Sequence, residues 1–154
     1  MSRHPDLSRI LTAAEVTAVR ADLHRRRKAK GTRLAGAVFE LAVGAGLRAS
    51  EIAALTIANV KTETGKPTIK VRNGKGGKDR VVPLIDAAAL ATLRAWRAER
   101  LEDGASTRDL FVCTLSKGSE GNRLHRNGVA AKFRAACKSL GSERLKGLSG
   151  HDGR

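Results

Sequence analysis

The sequence contains no tyrosine and few aromatic residues of any kind. Phe and Trp make up 3% of its 154 residues, and there are two cysteines, Cys113 and Cys137. Two cysteines do not make a disulfide framework, which indicates a reducing compartment. No apolar run approaches the ~20 residues that a membrane-spanning helix needs, and the first residues carry no apolar segment of a secretory signal. We therefore expect a cytoplasmic protein with no membrane partner.

Positive charge, in contrast, is abundant. The chain has 30 Lys and Arg against 15 Asp and Glu, a net charge of +15, and its 41% of hydrophobic residues can build the core of one ordinary domain. Such an excess indicates a polyanionic partner, most directly nucleic acid. The cations concentrate in residues 1–30, 61–80 and 121–154, so we expect three elements to converge on one ligand. The less specific alternative is a ribosome-associated or nucleoid protein that binds by charge alone.

Hydrophobic periodicity predicts the α+β class: a mostly helical domain with a small antiparallel β-sheet or hairpin near its middle. Apolar residues recur at helical spacing over about 12–29, 34–45, 49–55, 86–101 and 129–140. Apolar and polar residues alternate in 68–72, and a second strand is expected over 80–84. The glycine-rich residues 73–79 between them predict the turn of a β-hairpin. We expect residues 1–8 to form a loop and residues 9–154 a single domain.

The segment GLRASEI, residues 46–52, places an arginine at the start of a short helix. A cation is disfavoured at this end of the helix dipole, so its position indicates a function. Arg48 could direct the planar donors of its guanidinium at a phosphate, and Glu51, one turn later, could fix that guanidinium. The alternative is an ordinary surface ion pair. A helix-turn-helix is excluded because Gly65 and Pro67 leave no room for a recognition helix.

Two further segments carry candidate phosphate ligands. GKGGK, residues 74–78, does not have the spacing of a phosphate-binding P-loop. Two interpretations of this segment are left: a hairpin tip that presents Lys75 to a ligand, or a solvated turn without a function. His151 and Arg154 are three residues apart and would share a face of a helix. Cysteine and histidine spacings match no zinc site, so we expect no metal and no cofactor.

Taken in chain order, these motifs resemble the catalytic domain of the tyrosine recombinases, the phage integrase family. The resemblance covers about residues 9–154, and GKGGKDRVVPL, residues 74–84, is its most specific part. It implies four catalytic residues supported by Glu51: Arg48, Lys75, His151 and Arg154. In the family, the two arginines hold the scissile phosphate, the lysine protonates the departing 5′-oxygen, and a tyrosine forms a 3′-phosphotyrosyl link. We expect double-stranded DNA as partner, further recombinase protomers assembled on it, and DNA contacts from Arg72, Lys78, Arg80, Arg123 and Arg126.

The sequence also departs from the family. The third family motif, a Leu-Gly-His stretch, is missing, and so is the nucleophilic tyrosine. We therefore expect a chain truncated before that tyrosine, which binds DNA but does not complete strand exchange by itself. The alternatives are a DNA-binding module that has lost its activity and a type IB topoisomerase-like domain. We expect the protein to act at a bacterial nucleoid, or to be encoded by a phage or another mobile element.

Overall fold

The computed structural model describes residues 11–72 and 77–149, and it has the mostly helical architecture that the periodicity predicts. The helices are α1 (Ala13–Arg25), α2 (Lys30–Val43), α3 (Ala49–Ala54), α4 (Ala87–Glu102), α5 (Arg126–Ala136) and α6 (Ser142–Ser149), and the strands are β1 (Val60–Lys61), β2 (Thr68–Val71) and β3 (Arg80–Pro83). Among the described residues, no helix is long and apolar enough to cross a membrane.

The first helix begins where the sequence predicts and ends earlier. The Thr12 hydroxyl accepts the backbone N–H of Glu15 at 3.1 Å, and the Glu15 carboxylate accepts the backbone N–H of Thr12 at 2.9 Å, which is a complete capping box. The predicted continuation to residue 29 is wrong, because a turn separates α1 from α2. The guanidinium of Arg33 donates to the carbonyls of Arg27 and Lys28, at 2.7 Å each. In a continuous helix these two carbonyls would accept backbone N–H groups instead, so Arg33 satisfies them in the turn.

Helix α2 lies at the centre of the domain, between α4 and α5. Its residues from Leu34 to Ala42 are buried, and the ring of Phe39 stacks on that of Phe133 in α5 at 5.6 Å between centroids. The one buried carboxylate in this stretch of α2 belongs to Glu40. Burial raises the pKa of Glu40, and a two-pronged ion pair with Arg20 of α1, at 2.8 and 2.9 Å, opposes that rise.

Helix α4 runs antiparallel to α2. The Asp86 carboxylate accepts the N–H groups of the residues two and three positions later, so it caps the helix at the residue where the predicted range begins. Within that range Leu93 and Trp96 are buried, but Leu101 is 37% exposed. The end of α4 lies beside the start of α2. There the two helices are joined by an ion pair between Lys30 and Asp103, at 2.5 Å, and not by apolar side chains.

The three strands form one antiparallel sheet in the order β1-β2-β3. The predicted hairpin is confirmed: Ile69 lies opposite Val82 and Val71 lies opposite Arg80. Strand β1 was not predicted, because two residues are too few to show an alternating pattern. It pairs Val60 with Ile69 of β2. The sheet therefore fixes the base of the hairpin beside α3.

Helix α5 buries the face that its periodicity predicts, including Val129, Phe133 and Cys137. It is shorter than expected, since the regular helix ends at Ala136 and a 3-10 turn covers the next residues as far as Leu140. Helix α6, which the sequence analysis did not assign, follows directly. Its Leu148 is fully buried, and the described helices and strands from α1 to α6 share one hydrophobic core.

Candidate nucleic-acid interface

Arg48 stands at the start of α3, as the sequence predicts. The chain turns at Gly46, which has a left-handed φ of 70°, and Leu47 is anchored in the core at 2% exposure. Arg48 follows in an extended conformation as the N-cap of α3, and its side chain is exposed. Within residues 11–72 and 77–149, no hydrogen bond or ion pair engages its guanidinium. Those planar donors are therefore available to an external anion.

Glu51 does not hold that guanidinium, contrary to expectation. Its carboxylate accepts the backbone N–H of Arg48 at 2.9 Å, and it forms a two-pronged ion pair with Arg80 of β3 at 2.5 and 3.0 Å. Burial alone would raise the pKa of Glu51, but the hydrogen bonds from Arg80 and from the Arg48 backbone outweigh it, so this pKa lies below its usual value. Glu51 is thus a constant negative charge that connects α3 to the hairpin.

The hairpin itself carries further cations. Arg72 and Lys78 are exposed, and neither has an ion-pair partner among the residues that the structure describes. Arg80 differs from them, because Glu51 already neutralises it. The predicted catalytic Lys75 lies in the segment 73–76, outside the described residues.

A second group of cations lies next to α3, at the start of α5. A shallow cavity of about 340 Å³ lies between α3 and the start of α5, and its lining comprises Ser50, Ala53, Arg123, Leu124, His125 and Arg126. Arg123 and Arg126 are exposed, without an ion-pair partner in the described part of the chain. The first turn of α5 adds the positive end of a helix dipole to this cavity. The surroundings therefore favour an anion.

His125 has a role that the sequence did not reveal. Its Nδ1 accepts the backbone N–H of Asn127 at 3.2 Å, so the ring acts as the N-cap of α5. Histidine is not among the residues that usually occupy this position, which is why the pattern gave no signal. The cap closes the first turn of α5, between Arg123 in the preceding loop and Arg126 at the start of the helix.

Cations of two of the three basic segments lie beside α3: those of the hairpin and those at the start of α5. In the first segment, Arg20 is paired with Glu40 of α2, and Arg26 lies at the other end of α5, where it donates to the carbonyl of Ala135 at 3.4 Å. Since α5 has 11 residues, about 16 Å of helix separates these two ends. His151 and Arg154, the remaining predicted catalytic residues, lie outside the described residues.

A larger cleft of about 450 Å³ lies between α1, α2 and α4. Its lining is mostly apolar, and the ion pairs Arg20–Glu40 and Arg33–Glu99 neutralise most of the charge at its rim. This cleft does not have the character of an anion site. The cavity between α3 and α5 is therefore the better candidate for a phosphate.

No metal centre or reactive thiol is found in the described part of the chain. No three His, Cys, Asp or Glu residues there are grouped so that they could hold a metal ion. Both cysteines are buried, and burial raises the pKa of the Cys137 thiol to about 12. That thiol is protonated at neutral pH and is not a nucleophile.

Comparison with known proteins gives a consistent result. The model of the phage integrase family matches residues 6–154. The chain is 39% identical over 98 residues to the tyrosine recombinase XerC of Chromobacterium violaceum, and 36% identical over 94 residues to XerD of Caulobacter vibrioides. These alignments cover 64% and 61% of this chain but only 29% of each relative. The aligned stretch thus spans less than a third of the length of either relative.

The fold has a counterpart among solved structures. The crystal structure of XerA recombinase superimposes with a TM-score of 0.62 at 21% sequence identity, covering 83% of this chain and 41% of that one. At this identity the likeness concerns the fold, and it confirms the helical domain with a small antiparallel sheet.

Proposed function

We propose that this chain, which belongs to the phage integrase family, contributes the phosphate-binding part of a site-specific DNA recombinase. One observation supports the proposal above the others. Cations from two separate parts of the sequence lie beside α3: Arg48 begins this helix, and Arg123 and Arg126 line the cavity between α3 and α5. Cations that have no acidic partner among the described residues suit the phosphates of a DNA backbone.

In the proposed reaction, Arg48 binds the scissile phosphate together with Arg154. Arginine suits this task, because its planar donors match two phosphate oxygens at once and its charge persists at any physiological pH. Both arginines would stabilise the additional negative charge that builds up as the phosphorus becomes five-coordinate. His151 would complete this group by hydrogen bonding to the same phosphate.

Bond making and breaking require two more groups. A tyrosine hydroxyl releases its proton to solvent and attacks phosphorus, the bond to the 5′-oxygen breaks, and Lys75 supplies the proton that this leaving oxygen takes up. The 154 residues contain no tyrosine, so in our proposal the nucleophile does not come from this chain. Residues 9–154 would act as one domain, joined on the DNA by further recombinase protomers within the cytoplasm.

A binding titration tests the DNA interface. A labelled duplex is titrated with the protein at several salt concentrations. Release of counterions from ~5–8 phosphates gives a slope of log K against log salt of about −5 to −7. The double variant Arg123→Ala/Arg126→Ala should lose about 2 units of that slope.

The control is Lys28→Ala, which removes an exposed cation beyond the far end of α1. It should leave the slope within about 0.3 of the original value, since the proposed interface does not include it. A slope near zero for the unmodified chain would refute DNA binding. Equal losses for the control and the double variant would refute the location of the interface.

A further inference from the structure

Arg80 occupies a carboxylate that would otherwise be free to bind Arg48. Both oxygens of Glu51 accept hydrogen bonds from the two terminal nitrogens of Arg80, at 2.5 and 3.0 Å. One of these oxygens also holds the backbone N–H of Arg48 at 2.9 Å. Glu51 thus sits in the first turn of the helix that Arg48 begins, while both its oxygens are hydrogen-bonded to a residue of β3 and the Arg48 charge acts on it only through space.

The spacing makes Arg48 and Glu51 natural partners. Residues three apart near a helix start lie on one face, and a guanidinium and a carboxylate at that spacing attract each other. The Glu51 side chain is only 10% exposed, against 44% for Arg80, so water would solvate an unpaired Glu51 poorly. If Arg80 were absent, Arg48 would be the one described cation at the start of or within α3 that could pair with Glu51.

We propose that Arg80 is a positioning residue: it occupies the Glu51 carboxylate and thereby keeps the Arg48 guanidinium available for a DNA phosphate. The inference rests on the proposed function of Arg48 as a phosphate ligand. It also changes the role expected for Arg80 from the sequence, which was a DNA contact of its own.

The two roles differ in a measurable way. Replacing Arg80 by Met removes one positive charge in either case, and both predict weaker binding. If Arg80 contacts DNA directly, Arg48 contributes equally to DNA affinity whether Arg80 is present or absent. If Arg80 acts through Glu51, removing Arg80 lets Glu51 neutralise Arg48, and the contribution of Arg48 to DNA affinity disappears.

The experiment measures how much Arg48→Ala weakens duplex binding in four backgrounds of the full chain. In the original sequence we expect a loss of about tenfold and a salt slope smaller by about 0.9. In Arg80→Met the same change should cost less than about twofold. In Arg80→Met/Glu51→Gln the tenfold loss should return, because glutamine still accepts the Arg48 N–H but has no charge. Arg80→Lys should retain the full loss.

A matched background controls for the loss of one charge. Lys78 is an exposed cation near the same end of β3, and Glu51 does not pair with it. In Lys78→Met, Arg48→Ala should therefore still cost about tenfold. An equal cost of Arg48→Ala in all backgrounds, Arg80→Met included, would overturn the proposal.

A readout without DNA separates failure of this proposal from failure of the proposed function. The Nε–H signal of Arg48, assigned by its loss in Arg48→Lys, is followed by ¹H–¹⁵N NMR. Arg80→Met, or Arg80→Gln if the first variant does not fold, should shift this signal and slow its exchange with water, and Glu51→Gln should reverse both. If the Arg48 signal changes in Arg80→Met but Arg48→Ala does not weaken DNA binding in any background, Arg48 is not a phosphate ligand. If the Arg48 signal is the same with and without Arg80, the positioning role is refuted.

Discussion

Gly44, at the end of α2, has no room for a side chain. A Cβ atom built there would lie 2.5 Å from Cβ of Ala89 and 2.9 Å from the carbonyl oxygen of Glu40. Neither atom can move away, since Ala89 is fully buried in α4 and the other belongs to the backbone of α2. We expect Gly44→Ala to lower the free energy of unfolding by about 1–3 kcal/mol, measured by urea denaturation.

Gly31 in the first turn of α2 provides the matched control. A Cβ atom there would meet nothing within 4 Å, and alanine is the better helix former. Gly31→Ala should therefore raise the free energy of unfolding by about 0.5–1 kcal/mol. A neutral Gly44→Ala variant would mean that α2 and α4 are packed less closely than the structure shows.

Single residues differ in how far the sequence reveals their roles. Arg48 could be found because a cation at a helix start contradicts the local electrostatics. The partner of Glu51 could not be found, because Arg80 is 29 positions away and its approach depends on the register of the sheet. The capping role of His125 likewise depends on the orientation of one ring, which no spacing rule encodes.

Elements with a long, strong periodicity were predictable, and elements defined by tertiary contacts were not. Helices α4 and α5 and the β2–β3 hairpin follow from patterns within a dozen residues. The position at which α1 ends does not, because residues 26–29, between α1 and α2, contain no glycine or proline. There the deciding contact is Arg33 with two carbonyls of the turn.

The contact between α1 and α6 should make the protein sensitive to acid. Arg144 of α6 holds the Glu15 carboxylate at 2.7 and 3.1 Å, and this bond, with that from the Thr12 backbone, lowers the pKa of Glu15 to about 2. A lowered pKa means that the unfolded chain binds the proton more readily. The stabilisation is therefore complete above about pH 4.5, the ordinary value, and is lost as the pH falls towards 2.

Urea denaturation at pH values from 7 to 2.5 measures this loss. Glu15→Gln retains the capping acceptor but has no charge, so its stability should fall less between pH 5 and pH 2.5 than that of the original chain. Glu143→Gln is the control, because its side chain is 90% exposed in a long ion pair with Lys146 at 3.5 Å. Identical acid profiles for Glu15→Gln and the original chain would show that the α1–α6 ion pair does not stabilise the fold.

For the molecule as a whole, ion pairing distinguishes two groups of cations. Arg20, Arg26 and Arg33 are paired with Glu40, Asp22 and Glu99, so their charge contributes to packing. Among the described residues, Arg48, Arg72, Lys78, Arg123 and Arg126 have no ion-pair partner, and the same holds for exposed cations elsewhere, such as Lys28, Arg108 and Lys138. The net charge of +15 therefore does not by itself locate an interface, and the proposed one rests on the cavity between α3 and α5.

The last prediction concerns the whole chain on a recombination substrate. Arg48, Lys75, His151 and Arg154 would activate a phosphate, but the 154 residues contain no tyrosine, and the buried Cys137 is protonated at neutral pH. Water would be the remaining nucleophile, and nothing in the proposed site aligns it with the leaving oxygen. The chain should therefore bind a nicked duplex that traps covalent intermediates without forming a denaturant-stable adduct, as judged by a denaturing gel. The tyrosine recombinase XerC of Chromobacterium violaceum on its own substrate serves as the positive control. A covalent band from this chain would show that another side chain attacks phosphorus, and mass spectrometry of the adduct would identify it.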